Sequence, residues 1–310
     1  MPLTIVTYHF VRDLRNSRYP AIRGRDLAEF RQQIDYFGRH YEIVDTHDVV
    51  GACKGETDLP DNAIWLTFDD GYLDHYTNVL PVLFERKMHA AFFPPVNAVV
   101  HGELLDVNKV HFIRAAETDA SLIIKEMKAF IDANGDQDGM KTFQAYWDEF
   151  GIPVRYDTAE IWFIKKVLQY ALPEASRKVL LDELFQTFVS VDQKAFAGEL
   201  YASEEQLRMM LQCGMYIGGH GTTHYRFDQL DAEEQEREII DSLHFLRRLG
   251  APTADWVMCY PYGVSDENAR SLLRRHGCAV GVTIAEGIAD PVNDDPMLLS
   301  RLDTIELPIA

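Results

Sequence analysis

Apolar and polar positions along the chain follow two alternating periods, and the switches between them mark out its elements. Short, nearly continuous apolar runs rich in β-branched and aromatic residues read as buried strands. They fall at Leu3 to Tyr8, Tyr41 to Val44, Ala63 to Leu66, Ala90 to Phe93, Met215 to Gly219, Asp255 to Tyr260 and Ala279 to Ile284. Between them, apolar residues recur every three or four positions, as on helices with one buried face. Leu27, Phe30, Ile34 and Phe37 predict such a helix over 26–39, and a second is expected over 74–87, broken or kinked at Pro81. Ser203-Glu204-Glu205-Gln206 has the form of a capping box and opens a helix ending near Gly214. Asp231 to Arg248 reads as an amphipathic helix closed by Gly250, its acidic residues forming a solvated face. Ser265 to His276 is a further helix closed by Gly277, and the stretch between Val44 and Ala63 reads as a loop.

About seven strands alternating with helices predict an α/β fold with a parallel sheet. From Gly102 to Val191 the strand pattern disappears and helical periodicity takes over, with Phe143, Tyr146, Trp147 and Trp162 adding aromatic bulk. A structureless loop of that length is implausible, so residues 102–200 are read as a helical insertion within a single catalytic domain spanning 1–310. Each polar cluster falls at the carboxyl end of a strand: His9, then Asp69 with Asp70, then His220 with His224, then Tyr262. A closed barrel gathers strand ends into one mouth, whereas an open sheet spreads them, so a barrel is expected.

Composition narrows the function. With 47% hydrophobic and 25% charged residues the chain is of ordinary globular type. A net charge of −19 argues against nucleic acid or an anionic membrane surface as partner. No apolar stretch is long enough to span a bilayer, and the first residues run straight into a core strand without the features of a secretory signal. A cytoplasmic location is therefore expected. Cys53, Cys213, Cys259 and Cys278 are scattered, without a C-x-x-C pair, and read as reduced, mostly buried thiols. No G-x-G-x-x-G follows a strand, so dinucleotide binding finds no support.

The chemistry centres on Thr67-Phe68-Asp69-Asp70-Gly71, two adjacent carboxylates at the tip of a buried strand. Held together, such anions need a cation or a shared proton between them. His220-Gly221-Thr222-Thr223-His224 supplies two imidazoles four positions apart, a spacing that on a helical turn presents both rings to one divalent metal. Asp69 or Asp70 would complete the set, leaving a coordination position open as catalytic sites do. The other carboxylate would take a proton from water acidified by the metal. Pro261-Tyr262-Gly263 can offer a backbone N–H to a tetrahedral oxyanion, and a histidine would serve as the acid. Among the other histidines, His75, His101 and His111 read as core or surface residues. Trp65, Trp147, Trp162 and Trp256 read as core.

With these residues in place, the sequence resembles the polysaccharide deacetylases, the NodB-homology or carbohydrate esterase family four enzymes. The resemblance covers roughly the first hundred residues and Ser203 to the end. It implies a distorted (β/α)7-type barrel with a helical insertion, a divalent metal, usually zinc, and removal of acetyl groups from sugars. By that resemblance Asp69 would be the general base, Asp70, His220 and His224 the metal ligands, and Tyr262 the oxyanion donor. The chain departs from the family pattern at three points. Gly221 replaces the usual Ser or Thr of the second motif, and Val257 stands where an arginine normally orients the catalytic aspartate. Arg301 is the nearby substitute. The late acid histidine is missing, since none follows His276, and the Tyr8-His9 strand end suggests His9 as the acid.

The expected function is thus a metal-dependent hydrolase, its divalent ion zinc by the resemblance, taking an acyl group, N-acetyl first, from an amino sugar. A cytoplasmic nucleotide- or lipid-linked precursor of a surface glycan is the expected substrate. The insertion is read as shaping specificity or an oligomer contact. The alternatives are an O-deacetylase or deformylase on the same scaffold, or a non-catalytic carbohydrate-binding protein.

Overall fold

A computed structural model describes residues 2–135, 139–154 and 157–309. Ten strands are present among them: β1 (Leu3–Tyr8), β2 (Val11–Arg12), β3 (Arg25–Asp26), β4 (Glu42–Ile43), β5 (Ala63–Asp69), β6 (Ala91–Phe93), β7 (Tyr216–Ile217), β8 (Trp256–Cys259), β9 (Cys278–Glu286) and β10 (Leu299–Asp303). Strands β2 and β3 form a separate two-stranded ribbon, and β4 pairs with the start of β5. The others form one parallel sheet in the order β7-β6-β5-β1-β10-β9-β8. Its two ends meet where Gly219 N donates to Val257 O (3.0 Å) and Cys259 N donates to Gly219 O (2.9 Å). The result is the expected distorted (β/α)7-type barrel.

A parallel sheet closed in this way is buried on both faces, which is why its strands read as apolar runs without alternation. Ile5, Trp65, Phe93, Val257, Val280, Val282 and Leu299 meet in one core cluster. Val6, Tyr8, Leu66 and Phe68, pointing the other way, pack with helix residues such as Phe30, Ile34 and Leu246 in another. Two-residue periodicity then decides where the polar residues go. Asp69 shares the face of Ala63 and Trp65, Cys259 that of Val257, and Arg301 that of Leu299. The register of β1 on β5, with Tyr8 opposite Phe68, brings His9 level with Asp69.

Several sequence expectations change. Strand β10 was not among the seven expected. Residues 46–54, expected as loop, form a helix with an Asp45–Asp48 capping box, and its Val49 and Val50 enter the Trp65 cluster. Between Asp74 and Lys87, a π-helical turn (His75–Val79) runs into a helix (Leu80–Glu85). Pro81 lies in the first turn of that helix, where no N–H is needed. The helix Ala232–Leu249 also buries Gln235 and Glu238 among its apolar residues, so part of its polar character faces inward.

The chain separates into two compact units. The first comprises 2–13, 24–103 and 197–309 and holds the barrel. The second comprises Leu14–Arg23 and Leu104–Phe196 and is helical, its core built from residues such as Phe112, Ile123, Met127, Phe163, Leu168, Leu184 and Phe185. Among the described residues no helix is long and apolar enough to cross a membrane.

Candidate active site

Asp69 is the last residue of β5 and is 2% exposed. A carboxylate buried so deeply needs a charged partner, and Arg301 on β10 provides it. Nη1 donates to Oδ1 (2.9 Å) and Nη2 to Oδ2 (2.7 Å), a bidentate pair. The remaining guanidinium donors are taken as well. Nε donates to Thr283 O (2.7 Å), Nη1 to Thr67 Oγ1 (3.1 Å) and Nη2 to Cys259 Sγ (3.4 Å). Burial by itself would push the Asp69 carboxyl up, but the charge and hydrogen bonds of Arg301 outweigh it and hold Asp69 well below the usual carboxylate range. Thr7 Oγ1 donates to Asp69 Oδ2 at 3.3 Å, and His9 Nε2 lies 4.0 Å from the same oxygen.

Asp70 leaves the strand with φ +73°, and Gly71 follows at φ +66°. These two left-handed residues turn the Asp70 carboxylate from the line of β5. Gly71 is required there, since a Cβ would lie 2.7 Å from Pro94 Cβ. Tyr72 Oη donates to Asp70 Oδ2 (2.5 Å), which leaves Oδ1 facing His220 Nε2 and His224 Nε2, each at 3.3 Å.

His220 Nδ1 lies 2.7 Å from Cys259 O. A carbonyl only accepts, so Nδ1 carries the proton and Nε2 of the neutral ring presents a bare lone pair. Lone pairs on two imidazoles and a carboxylate, buried and all within 4.8 Å of one another, repel unless a proton or a cation sits in their midst. One divalent ion satisfies all three, and the donor set of two nitrogens and one oxygen suits zinc. The residues therefore fit a bound metal. Asp69, His220 and Cys259 also bring donor atoms within 4.8 Å of one another. There the Arg301 guanidinium already bonds both Asp69 and Cys259, and its charge opposes a second cation.

The two histidines do not reach Asp70 from a helical turn, as their spacing suggested. The segment from His220 to His224 is an irregular loop, with Gly221 at φ +72° and His224 at φ +61°. What shapes it is Glu238, from the helix read as a solvated face. Its carboxylate accepts from Thr222 N (2.5 Å), Thr223 N (3.1 Å) and Thr223 Oγ1 (2.8 Å). A Cβ on Gly221 would lie 2.8 Å from Glu238 Oε2, so the missing hydroxyl of the second motif and the buried carboxylate go together. Sequence reasoning missed Glu238 and Tyr72. The one available signal for Glu238 was Gly221 itself, which removes a supporting side chain and leaves the loop N–H groups needing another acceptor.

Tyr262 sits in a tight turn (Pro261–Gly263) at φ +57°, an uncommon conformation for a large side chain. Its ring meets that of His224 at 5.0 Å between centroids, so the third motif adjoins the second. His75 is buried among Phe68, Tyr72 and Phe92, and Nε2 lies 2.9 Å from the His9 carbonyl. Burial pushes its pKa down to about 4. It braces the backbone of His9 from the core.

Comparisons with known proteins align with this geometry. The family profile described as polysaccharide deacetylase matches residues 56–115 and 184–281, which contain Asp69, Asp70, His220, His224 and Tyr262 and leave out His9 and Arg301. Poly-beta-1,6-N-acetyl-D-glucosamine N-deacetylase of Escherichia coli (strain K12) is 32% identical over 91 residues, which is 29% of this chain and 13% of that protein's length. Two solved structures share the fold over nearly the whole chain. Streptococcus pyogenes deacetylase PplD in complex with acetate has a TM-score of 0.59 at 17% identity, covering 99% of this chain and 93% of its own. IcaB from Ammonifex degensii has a TM-score of 0.57 at 19% identity, covering 98% and 91%. With half of its length matched by that profile, across both segments that build the carboxylate–imidazole cluster, the chain belongs to the polysaccharide deacetylase family.

Proposed function

We propose that this protein is a metal-dependent hydrolase that removes an N-acetyl group from an amino sugar. The observation that carries the reading is the buried Asp70–His220–His224 cluster with a second carboxylate, Asp69, clamped by Arg301 beside it. A divalent cation held by Asp70, His220 and His224, zinc by family resemblance, would polarise the acyl carbonyl and lower the pKa of water toward about 7.

The chain's own residues would do the rest. Asp69 takes the proton of the attacking water, and Arg301 keeps that carboxylate ionised and aimed. The same pairing lowers the basicity of Asp69, so the arrangement works only on water that has been acidified. The backbone N–H of Tyr262 donates to the developing oxyanion. His9, with its side chain 40% exposed, gives a proton to the departing amine as the C–N bond breaks. Arg301 supports this reading over a non-catalytic binding protein, because it supplies the guanidinium that Val257 lacks.

Poly-β-1,6-N-acetyl-D-glucosamine, named for the Escherichia coli relative, makes N-acetylglucosamine oligomers the first substrates to assay. A nucleotide- or lipid-linked N-acetyl sugar, a cytoplasmic precursor of a surface glycan, is the second. Acetate release is measured with zinc supplied, on wild type, Asp69→Asn and His220→Ala. The expected result is turnover by wild type, a loss of at least about 10³-fold in Asp69→Asn with zinc content retained, and loss of both activity and zinc in His220→Ala. An Asp69→Asn variant as active as wild type overturns the assignment. Replacing the N-acetyl substrate by O-acetyl or N-formyl analogues identifies the bond cut.

A further inference from the structure

The helical unit contains a cavity with a different chemistry from the barrel. It measures about 70 Å³ and is lined by Ala21, Arg23, His111, Arg114, Ala115 and Lys165. A single water needs only about 10–15 Å³ on the same measure, so a small polyatomic ligand has room.

Charge is what sets this cavity apart. In a chain of net charge −19, three cations converge on it. Among the described residues one carboxylate pairs with them. Asp157 lies 3.2 Å from Arg23 Nη2 and 2.5 Å from Lys165 Nζ. The side chain of Arg114, in the last turn of the helix Asp106–Ala116, makes no hydrogen bond and no ion pair among the described residues. A cation at a helix carboxyl end gains only a little from the peptide dipoles. That does not match the cost of holding a partly buried guanidinium beside Arg23 and Lys165. Burial and the neighbouring Arg23 charge disfavour its charged form and outweigh the favourable pull of Asp157.

We propose that this cavity is an anion site that takes a phosphoryl group. Among the described residues, three cations against one carboxylate leave an excess of two positive charges, which matches a phosphate dianion. The planar donor forks of Arg23 and Arg114 suit its oxygens, and Lys165 adds a point charge. Arg23, with its side chain 61% exposed, stands at the entrance. The phosphoryl group can come from free phosphate or from a sugar phosphate. The inference uses residues of the helical unit alone and does not depend on the deacetylase reading.

Calorimetric titration of the full chain in EDTA, which keeps phosphate from binding through a metal in the barrel, tests it. The probes are inorganic phosphate, N-acetylglucosamine 1-phosphate, and sodium chloride at matched ionic strength. Saturable binding of phosphate or the sugar phosphate, no binding of chloride, and at least tenfold weaker binding by Arg114→Met are expected. Asp69→Asn should bind as wild type does. A sugar phosphate bound tighter than phosphate identifies a ligand-borne group, and the reverse order identifies the free ion. No saturable binding, or unchanged affinity in Arg114→Met, overturns the proposal. If Arg114→Met does not fold, Arg23→Met at the exposed rim gives the same test.

Discussion

Arg301 carries more of the candidate site than any other side chain. It is almost completely buried, and each of its donors has an acceptor, two of them on Asp69. Removing one member of a buried ion pair leaves the other charge unpaired, at a cost of about 3–5 kcal/mol. Arg301→Met should therefore lose stability on that scale in chemical denaturation. Arg301→Lys keeps the charge but cannot span both oxygens, so it should fold and still lose about 10²-fold in kcat as Asp69 loses its aim. Equal kcat in Arg301→Lys and wild type would show that the fork geometry is irrelevant. His75 gives a test by pH. Its folded pKa of about 4 lies below the ordinary 6.5, so the unfolded chain binds the extra proton between those values. Stability contributed by neutral His75 is complete above about pH 6.5 and is lost as pH falls toward 4. His75→Phe should remove up to about 3 kcal/mol of that fall, measured as denaturation free energies at pH 7, 5.5 and 4. A variant with the same pH slope as wild type contradicts the assignment.

Among the elements, the loop from His220 to His224 depends on the helix that follows it, Ala232–Leu249. Glu238 satisfies two of its backbone N–H groups and one hydroxyl, in the space a Cβ at position 221 would need. Outer partners of metal ligands typically contribute 10–100-fold in metal affinity. If the cluster holds zinc as proposed, Glu238→Ala should weaken its binding by about that factor in a chelator-competition titration, while a denaturation midpoint confirms that the barrel still forms. Zinc affinity equal to wild type would mean that the loop holds its shape alone. The amphipathic period of this helix was plain in the sequence, and the spacing of its apolar residues was sufficient to place it. Periodicity assigns a carboxylate to a face only by its polarity, however, and Glu238 is buried because the loop N–H groups need an acceptor. Strand β10 illustrates a second limit. Leu-Ser-Arg-Leu-Asp is short and puts an arginine at an inward position, which pattern alone counts against a buried strand. It is buried because its arginine meets Asp69.

For the molecule as a whole, charge is the governing quantity. A net charge of −19 means that folding gathers like charges, and this repulsion is screened once the Debye length falls to about 10 Å near 0.1 M salt. The melting temperature should rise by a few degrees between 10 and 200 mM sodium chloride. A fall over that range would mean that specific ion pairs outweigh the net repulsion. The same acidity makes the cationic cavity of the helical unit conspicuous, since its positive charge is concentrated against the average of the chain.

Local sequence determined the alternation of apolar runs and amphipathic helices, the Asp69-Asp70 pair and the His220/His224 spacing. Each of these depends on interactions within a few residues or on burial of whole elements. Tertiary structure alone decided which groups meet. Arg301 replaces an arginine absent from position 257 because β10 lies beside both β1 and β9. Glu238 replaces a hydroxyl absent from position 221 because its helix packs under the loop. Such substitutions are invisible to periodicity, since a buried carboxylate or guanidinium is tolerated only where folding brings it a partner, a distant charge for Arg301 and loop N–H groups for Glu238.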